Sequence, residues 1–214
     1  MLFRSSAASP PQTATPVPLP PGVPASYEPD DEPGDVPPEA LVPREAEVTG
    51  TTFARFPSAG TAIVVTYARG EDPFAREQGL LVWRRFPRSP HWRATFGFLD
   101  PARKEVLGIR VEIGDATGDG LPDALAFETV GGTGVCGSWR LVQIAEGTAV
   151  PAYPLMTCDA SMEISADPVG LVLTEAVFKQ GDPHCCPSRF RTTQLEWNGE
   201  IFEEMSRETH PANP

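Results

Sequence analysis

Hydrophobic and polar residues alternate along much of the chain after residue 50. In Ile109–Ile113 the apolar side chains take one face and the charged side chains the other, as in a half-buried β-strand. No segment keeps a 3.6-residue period over three turns. The pattern predicts further strands at Thr61–Tyr67, Leu80–Phe86, Trp92–Leu99, Asp123–Val130, Trp139–Ala145, Ala149–Thr157, Ser161–Ala166, Leu171–Phe178, Phe190–Trp197 and Ile201–Met205.

Glycine, proline and asparagine separate these short strands. Glu146–Thr148, Asp167–Pro168 and Asn198–Gly199 are typical of hairpin links, and Asn-Gly favours a two-residue type I′ turn. We therefore predict an all-β domain in which about ten short strands form an antiparallel meander. The spacing leaves a barrel, a sandwich and a propeller-like arrangement open.

Composition divides the chain near residue 48. The first 47 of the 214 residues hold twelve of the 25 prolines, and eight acidic residues against Arg4 and Arg44. Such a segment buries too little apolar surface to offset the entropy of ordering it. We predict a disordered, Pro-rich acidic linker at 1–47, an all-β domain at 48–207 and a disordered tail at 208–214.

The charge and the apolar content limit partners and location. A net charge of −12 disfavours nucleic acid and anionic membranes as partners. No run reaches the roughly 18 apolar residues of a transmembrane helix, and residues 1–10 lack the apolar region of a secretory signal. The cysteine pairs nevertheless favour an extracellular or envelope location. A processed or truncated N-terminus would reconcile these signals, and a cytosolic protein is the alternative.

The stretch from Asp115 to Asp123 is the clearest chemical motif. Calcium takes six to eight oxygen ligands at about 2.3–2.6 Å, often in an acidic loop that turns at a glycine. Here Asp115, Thr117, Asp119 and Asp123 offer side-chain oxygens, and Leu121 offers its carbonyl. These residues predict a calcium site. The alternative is a tight turn whose Asp side chains bond their own backbone.

With predicted strands on both sides, this loop resembles the FG-GAP and VCBS repeats of integrin-type β-propellers, whose pattern is Asp-x-Asp/Asn-x-Asp-Gly-x-x-Asp. Thr117 replaces the usual acid or amide, so the resemblance implies a modest calcium affinity, in the high micromolar to millimolar range of extracellular modules. One copy is present, so the resemblance extends to the loop and not to a propeller. An EF-hand fits less well, because its twelfth position is Ala126.

Four cysteines allow three pairings. Cys136 and Cys158 lie at equal distances before and after the predicted hairpin centre at Gly147, so they would face each other across an antiparallel pair. The predicted bridge closes a loop of about 22 residues and contributes about 3 kcal/mol. Cys185 and Cys186 then form a strained, reducible vicinal disulfide, stay unpaired, or each reach one of the other two cysteines.

The segment Asp182-Pro-His-Cys-Cys-Pro-Ser188 also raises two sharper hypotheses. A zinc site from His184 and three cysteines lacks the Cys-x₂-Cys spacing. A cysteine nucleophile activated by His184 lacks an evident orienting group. A disulfide-knotted turn is the favoured interpretation.

Four motifs together are similar to a family of uncharacterised bacterial secreted or envelope-lipoprotein domains. They are Asp115-x-Thr-Gly-Asp-Gly, Gly131-Gly-Thr-Gly-x-Cys136, the Asp182–Ser188 segment and Arg191-Thr-Thr-x-Leu-x-Trp-x-Gly199. The resemblance spans roughly residues 105–200 and implies no particular activity. The chain departs from a lipoprotein in having no cysteine for lipid attachment before Cys136.

Trp83–Arg93 places four arginines among aromatic residues. A solvated hairpin end is the favoured interpretation, and an anion bound by the arginines is the alternative. Because Glu28–Glu39 holds six acidic residues, we predict that the N-terminal segment docks weakly on this hairpin.

These observations predict a secreted or cell-envelope, non-enzymatic binding or structural module, stabilised by calcium and disulfides. Its partner would be an unknown protein or glycan, and a tether to a cell surface is a further prediction. One alternative is a carbohydrate-active or other hydrolase, which requires paired carboxylates about 5–10 Å apart in a cleft. Another is a redox-sensing module that uses Cys185 and Cys186.

Overall fold

Antiparallel β-structure forms the whole fold in the computed structural model, which describes residues 18–28, 36–56, 60–72, 75–99, 106–130, 135–183 and 186–212. The strands are β1 (Ser26–Tyr27), β2 (Ala46–Phe56), β3 (Gly60–Arg69), β4 (Glu77–Arg85), β5 (Trp92–Leu99), β6 (Val106–Gly114), β7 (Asp123–Val130), β8 (Cys136–Gln143), β9 (Thr148–Pro151), β10 (Thr157–Cys158), β11 (Ala160–Ala166), β12 (Val169–Val177), β13 (Arg189–Trp197) and β14 (Phe202–Pro211). A 3₁₀ helix spans Pro38–Leu41, and the described residues contain no α-helix. The predicted all-β class is confirmed.

Strands that follow one another in the chain are mostly neighbours in three separate sheets. The first sheet has the order β1-β5-β4-β3-β2, and the third has the order β11-β12-β13-β14. The second has the order β10-β8-β7-β6, and β9 also pairs with β8. The predicted meander is therefore present as three successive units, and the described strands form no closed barrel.

The three sheets stack face to face. One cluster of buried side chains joins Val64 of the first sheet to Val142 of the second. Another joins Leu125 of the second sheet to Leu173 of the third. Because successive residues of a strand point to opposite faces, the second sheet carries an apolar core on each side.

Part of the predicted N-terminal linker packs on the outer face of the first sheet. Leu41 is fully buried and belongs to a third apolar cluster with Ile63 and Trp83. The indole N–H of Trp83 donates to the carbonyl of Leu41 at 3.1 Å. Residues 18–28 and 36–47 are thus folded onto the sheet, while residues 1–17 and 29–35 of the predicted linker lie outside the described residues.

At the other end of the chain, β14 continues to Pro211. This strand takes in residues 208–211 of the predicted tail, and residues 213 and 214 lie outside the described residues. The sequence pattern also missed β2, whose alternation is interrupted by a register shift between Val48 and Gly50.

The link between β13 and β14 differs from the predicted two-residue turn. Trp197 pairs with Phe202, so four residues form the link. Asn198 explains the longer loop, because its side-chain oxygen accepts the N–H groups of Glu200 and Ile201, both at 2.9 Å. This Asx bonding competes with the tighter type I′ turn. The predicted hairpin at Asp167–Pro168 is confirmed as a two-residue link.

Candidate functional site

The Asp115–Asp123 loop connects β6 to β7 and closes where Gly114 pairs with Asp123. Gly118 and Gly120 have φ angles of 78° and 79°. Glycine reaches this left-handed region without the steric cost that a Cβ would add. The two glycines therefore allow the loop to reverse direction over a few residues.

The carboxylates of Asp115 and Asp119 bond the backbone of their own loop. Asp115 accepts the N–H of Gly118 at 2.7 Å and the N–H of Gly120 at 2.9 Å, one on each oxygen. Asp119 accepts the N–H of Leu121 at 2.7 Å. This is the Asx bonding of a tight turn, the alternative that the sequence left beside calcium.

Asp123 begins β7 and is only 3% exposed. Its Oδ2 accepts the backbone N–H groups of Ala116 and Thr117 and the hydroxyl of Thr117, at 3.1–3.2 Å. Burial raises the pKa of Asp123 to about 6, and the nearby charge of Asp119 raises it further, whereas the three hydrogen bonds lower it. No basic side chain among the described residues forms an ion pair with this buried carboxyl.

The five predicted ligands fit calcium in chemical type, because all of them are hard oxygen donors in one loop. Their present arrangement is that of a turn. Among the residues that the structure describes, no three Asp, Glu, His or Cys side chains converge closely enough to hold a metal ion. The oxygens of Asp115 and Asp119 accept at most one of these hydrogen bonds each and keep a lone pair to offer, whereas Oδ2 of Asp123 already accepts three. Calcium binding therefore stays a prediction, and it requires the carboxylates of the loop to come closer together than they are here.

The same loop lies where the second and third sheets meet. Ala116 is 1% exposed and belongs to the core between those sheets. A Cβ at Gly118 would lie 3.4 Å from a methyl group of Val169, in the link that begins β12. Asp115 and Ile164 help to line a cavity of about 360 Å³ at this junction. The conformation of the loop is thus coupled by contact to the third sheet.

Cys136 and Cys158 pair directly between β8 and β10 and form a disulfide, with Cα atoms 3.9 Å apart. The predicted bridge is confirmed. The turn of the hairpin lies between Gln143 and Thr148, earlier than predicted. Residues 152–156 then leave the strand and shift the register by three residues, which restores the opposition of the two cysteines.

The second cysteine pair is described only in part. Cys186 is exposed, whereas His184 and Cys185 lie outside the described residues. The vicinal disulfide, the zinc site and the cysteine nucleophile all stay predictions.

Asp182 organises the backbone on both sides of that pair. It accepts the backbone N–H of Lys179 at 2.7 Å and the backbone N–H of Ser188 at 2.9 Å, and the Ser188 hydroxyl donates to its other oxygen. These hydrogen bonds, that from Lys179 first, hold the pKa of Asp182 below its usual range. Asp182 thus joins Lys179 to Ser188, a role that sequence reasoning did not assign to it, and the disulfide-knotted turn stays a prediction.

The arginine hairpin is not solvated throughout, because Trp83, Arg84 and Trp92 are buried. Arg84 is 8% exposed, and its guanidinium lies 4.7 Å from the ring centroid of Phe56 and 4.8 Å from that of Phe86. It donates to the carbonyl of Ala145 at 2.8 Å, which ties the first sheet to the second. Burial lowers the pKa of Arg84. We infer a structural role for this arginine.

The N-terminal segment reaches the same hairpin at β1. Ser26 and Tyr27 pair with Arg93 and Trp92 of β5. The next residue, Glu28, places a carboxylate oxygen 3.1 Å from the Nδ1 of His91. Docking of this segment is thus present for residues 26–28, through backbone pairing and the contact of Glu28 with His91. Residues 29–35 lie outside the described residues, so docking of the rest of the acidic segment on the arginines stays a prediction.

No family model matches the chain, and neither a search of curated proteins nor one of solved structures finds a match. Within the described residues no helix is long and apolar enough to span a membrane. The residues of the chain therefore carry the functional argument alone.

Proposed function

We propose that the protein is a non-enzymatic binding or structural module of the extracellular space or cell envelope, stabilised by calcium and by its disulfide. The observation that carries the proposal is Asp123, a buried carboxylate in a loop of oxygen donors that has no basic partner among the described residues. A buried charge of this kind is costly unless a cation balances it. Calcium is the cation that such a donor set favours.

When bound, calcium would supply positive charge to the three carboxylates and so remove the repulsion between Asp119 and Asp123. The residues of the chain supply the rest. Asp123 fixes the start of the loop through Ala116 and Thr117, and Ala116 belongs to the core that the loop shares with the third sheet. Calcium in this position stabilises the junction of two sheets rather than a reacting group.

Export and an unknown protein or glycan partner complete the proposal. The Cys136–Cys158 disulfide supports it, because such bonds persist mainly in oxidising compartments. The hydrolase alternative would need turnover of a glycan or ester substrate by the purified protein. The redox alternative would need a reversible change in thiol count at Cys185 and Cys186 under mild reductant.

Thermal unfolding of the full chain in 10 mM calcium and in chelator tests the calcium site. For a dissociation constant of about 0.1–1 mM, ligand linkage predicts a melting temperature about 3–8 °C higher in calcium. Asp119→Ala should abolish this shift, while Glu163→Ala, which removes an exposed acid of β11, should keep it. An unchanged melting temperature in the wild type would show that the loop is only a turn.

A further inference from the structure

A small cavity lies between the second and third sheets, where β6 and β11 approach each other. Its volume is about 230 Å³, and its lining includes Arg110, Glu112, Leu125, Phe127, Trp139 and Met162. Cavities that hold drug-sized ligands measure about 300–1,000 Å³. This cavity therefore suits a smaller ligand, of the size of one amino acid.

The inner part of the cavity is apolar and rigid. Phe127 and Trp139 are cross-strand neighbours whose rings stack with centroids 4.5 Å apart. Leu125 and Met162 complete this floor, and all four side chains belong to the core between the second and third sheets. An apolar group that enters the cavity would contact aromatic and aliphatic carbon without displacing the core.

The rim carries an arginine that forms no ion pair with any described residue. Arg110 is exposed, and its guanidinium lies 5.1 Å from the ring centroid of Phe127, directly across from it in β7. No carboxylate among the described residues lies within ion-pair distance of it. A guanidinium stacked on a ring keeps its N–H donors available for a bidentate carboxylate.

Glu112 lies two residues further along the same face of β6. Its Oε1 accepts the backbone N–H of Ile164 in β11 at 3.2 Å, which orients the carboxylate where it lines the cavity. Arg110 and Glu112 would be expected to pair as neighbours on one strand face. These two residues form no ion pair with each other; Arg110 lies over the ring of Phe127, and Glu112 accepts the N–H of Ile164.

We propose that this cavity binds a free α-amino acid with a large apolar side chain. Arg110 binds the α-carboxylate, Glu112 binds the α-ammonium group, and the side chain lies on Phe127 and Trp139. A ligand with both charges bridges two opposite charges that the protein holds apart. A ligand with only one charge leaves the other group unpaired and binds less tightly.

The amino acid site extends the proposed function by naming a ligand, and it does not depend on calcium in the Asp115–Asp123 loop. Binding measured in chelator therefore tests this site alone. If calcium does not raise the melting temperature, the amino acid site is unaffected. If amino acids do not bind, the calcium site is unaffected.

Calorimetric titration of the full chain with leucine, methionine and phenylalanine tests the proposal. Ligands of this size support dissociation constants of about 0.1–5 mM. Removal of one charge, in N-acetylphenylalanine or phenylalanine amide, should weaken binding about tenfold. The proposal is overturned if no amino acid binds at 20 mM, which lies above this range, or if the two blocked forms bind as tightly as phenylalanine.

Variants of Arg110 and Glu112 test whether these two rim residues bind the amino acid. Arg110→Ala and Glu112→Gln should each weaken phenylalanine binding about tenfold, and the glutamine oxygen can still accept the N–H of Ile164. Arg55→Ala and Glu163→Gln make the same charge changes at exposed positions outside the cavity and should leave binding unchanged. Unchanged affinity in both rim variants would place any bound amino acid elsewhere and refute the assignment.

Discussion

The first and third sheets differ in how many faces they bury. The central strands β3 and β4 of the first sheet are buried on both faces, with Ala62–Ala68 and Gln78–Arg84 buried throughout. The third sheet buries one face against the second sheet, and β14 is exposed at every residue after Phe202. The difference shows that the first sheet has a second cover, which the third sheet lacks.

That cover is the Pro-rich N-terminal segment. A sheet with both faces buried has nearly continuous apolar runs, whereas a half-exposed sheet alternates. Ile63–Val65 and Leu80–Trp83 are runs of the first kind. The third sheet keeps the alternation in β12 and β13, where Leu171, Leu173 and Leu195 face the core.

The largest expected effect comes from removing an apolar group from that cover. Leu41→Ala should lower the free energy of unfolding by about 3 kcal/mol, because Leu41 is fully buried beside Trp83 and the change leaves a cavity. Urea unfolding measures this. Leu155→Ala is the matched control, since Leu155 is 62% exposed and the same deletion should cost less than about 0.5 kcal/mol. Equal losses of stability in Leu41→Ala and Leu155→Ala would refute the claim that the N-terminal segment covers the first sheet.

The second largest effect is expected from adding a methyl group to the first sheet. A Cβ at Gly79 would lie 2.3 Å from the ring of Tyr67, which is itself fully buried. Gly79→Ala should therefore cost about 2 kcal/mol in urea unfolding. At Gly108, in β6, a Cβ would meet nothing within 4 Å, and Gly108→Ala should not destabilise the protein. A tolerated Gly79→Ala would mean that the first sheet is packed more loosely than described.

The smallest expected effect concerns the junction that holds the third sheet. The pKa of Asp123 in the folded protein is about 6, above its ordinary value of 3.8. Below about pH 4 the carboxyl is protonated in both states. As pH rises through 6, the folded state must hold a buried charge and should lose on the order of 1–2 kcal/mol, allowing for solvent screening.

Urea unfolding in chelator between pH 4 and 7 tests this loss of stability. Asp123→Asn keeps an oxygen acceptor but cannot ionise. The variant should therefore lack the part of the stability loss that ionisation of Asp123 causes in the wild type. Parallel pH profiles for the two proteins would count against a raised pKa. Calcium should reduce the decline in the wild type, because a bound cation favours the charged carboxylate.

Short apolar stretches between glycine and proline turns predicted most strands to within a few residues, whether a strand buries one face, as β12 does, or two, as β3 does. The Cys136–Cys158 bridge also followed from sequence, since antiparallel pairing constrains register strongly. The cover of the first sheet was missed. Leu41 and Val42 are an isolated apolar pair in a proline-rich segment, and only the continuous runs of β3 and β4 indicated that a second face needed them.

Two features of the candidate sites lay beyond sequence reasoning for different reasons. The Asp spacing in the 115–123 loop serves a calcium site and an Asx turn equally well, so it cannot distinguish them. Arg110 and Glu112 look like the solvated face of a strand. Arg110 contacts Phe127 across β6 and β7, and the bond from Ile164 to Glu112 depends on how the second and third sheets meet, which no local pattern encodes.

Native-state hydrogen exchange tests the contrast between the two sheets most directly. Amides of β3 and β4 should exchange only through global unfolding, because both faces of these strands are covered. Amides along β14 should exchange faster by several orders of magnitude. In Leu41→Ala, protection of β3 and β4 should fall, while that of β14 stays as it was. Equal protection in the two sheets of the wild type would contradict the account.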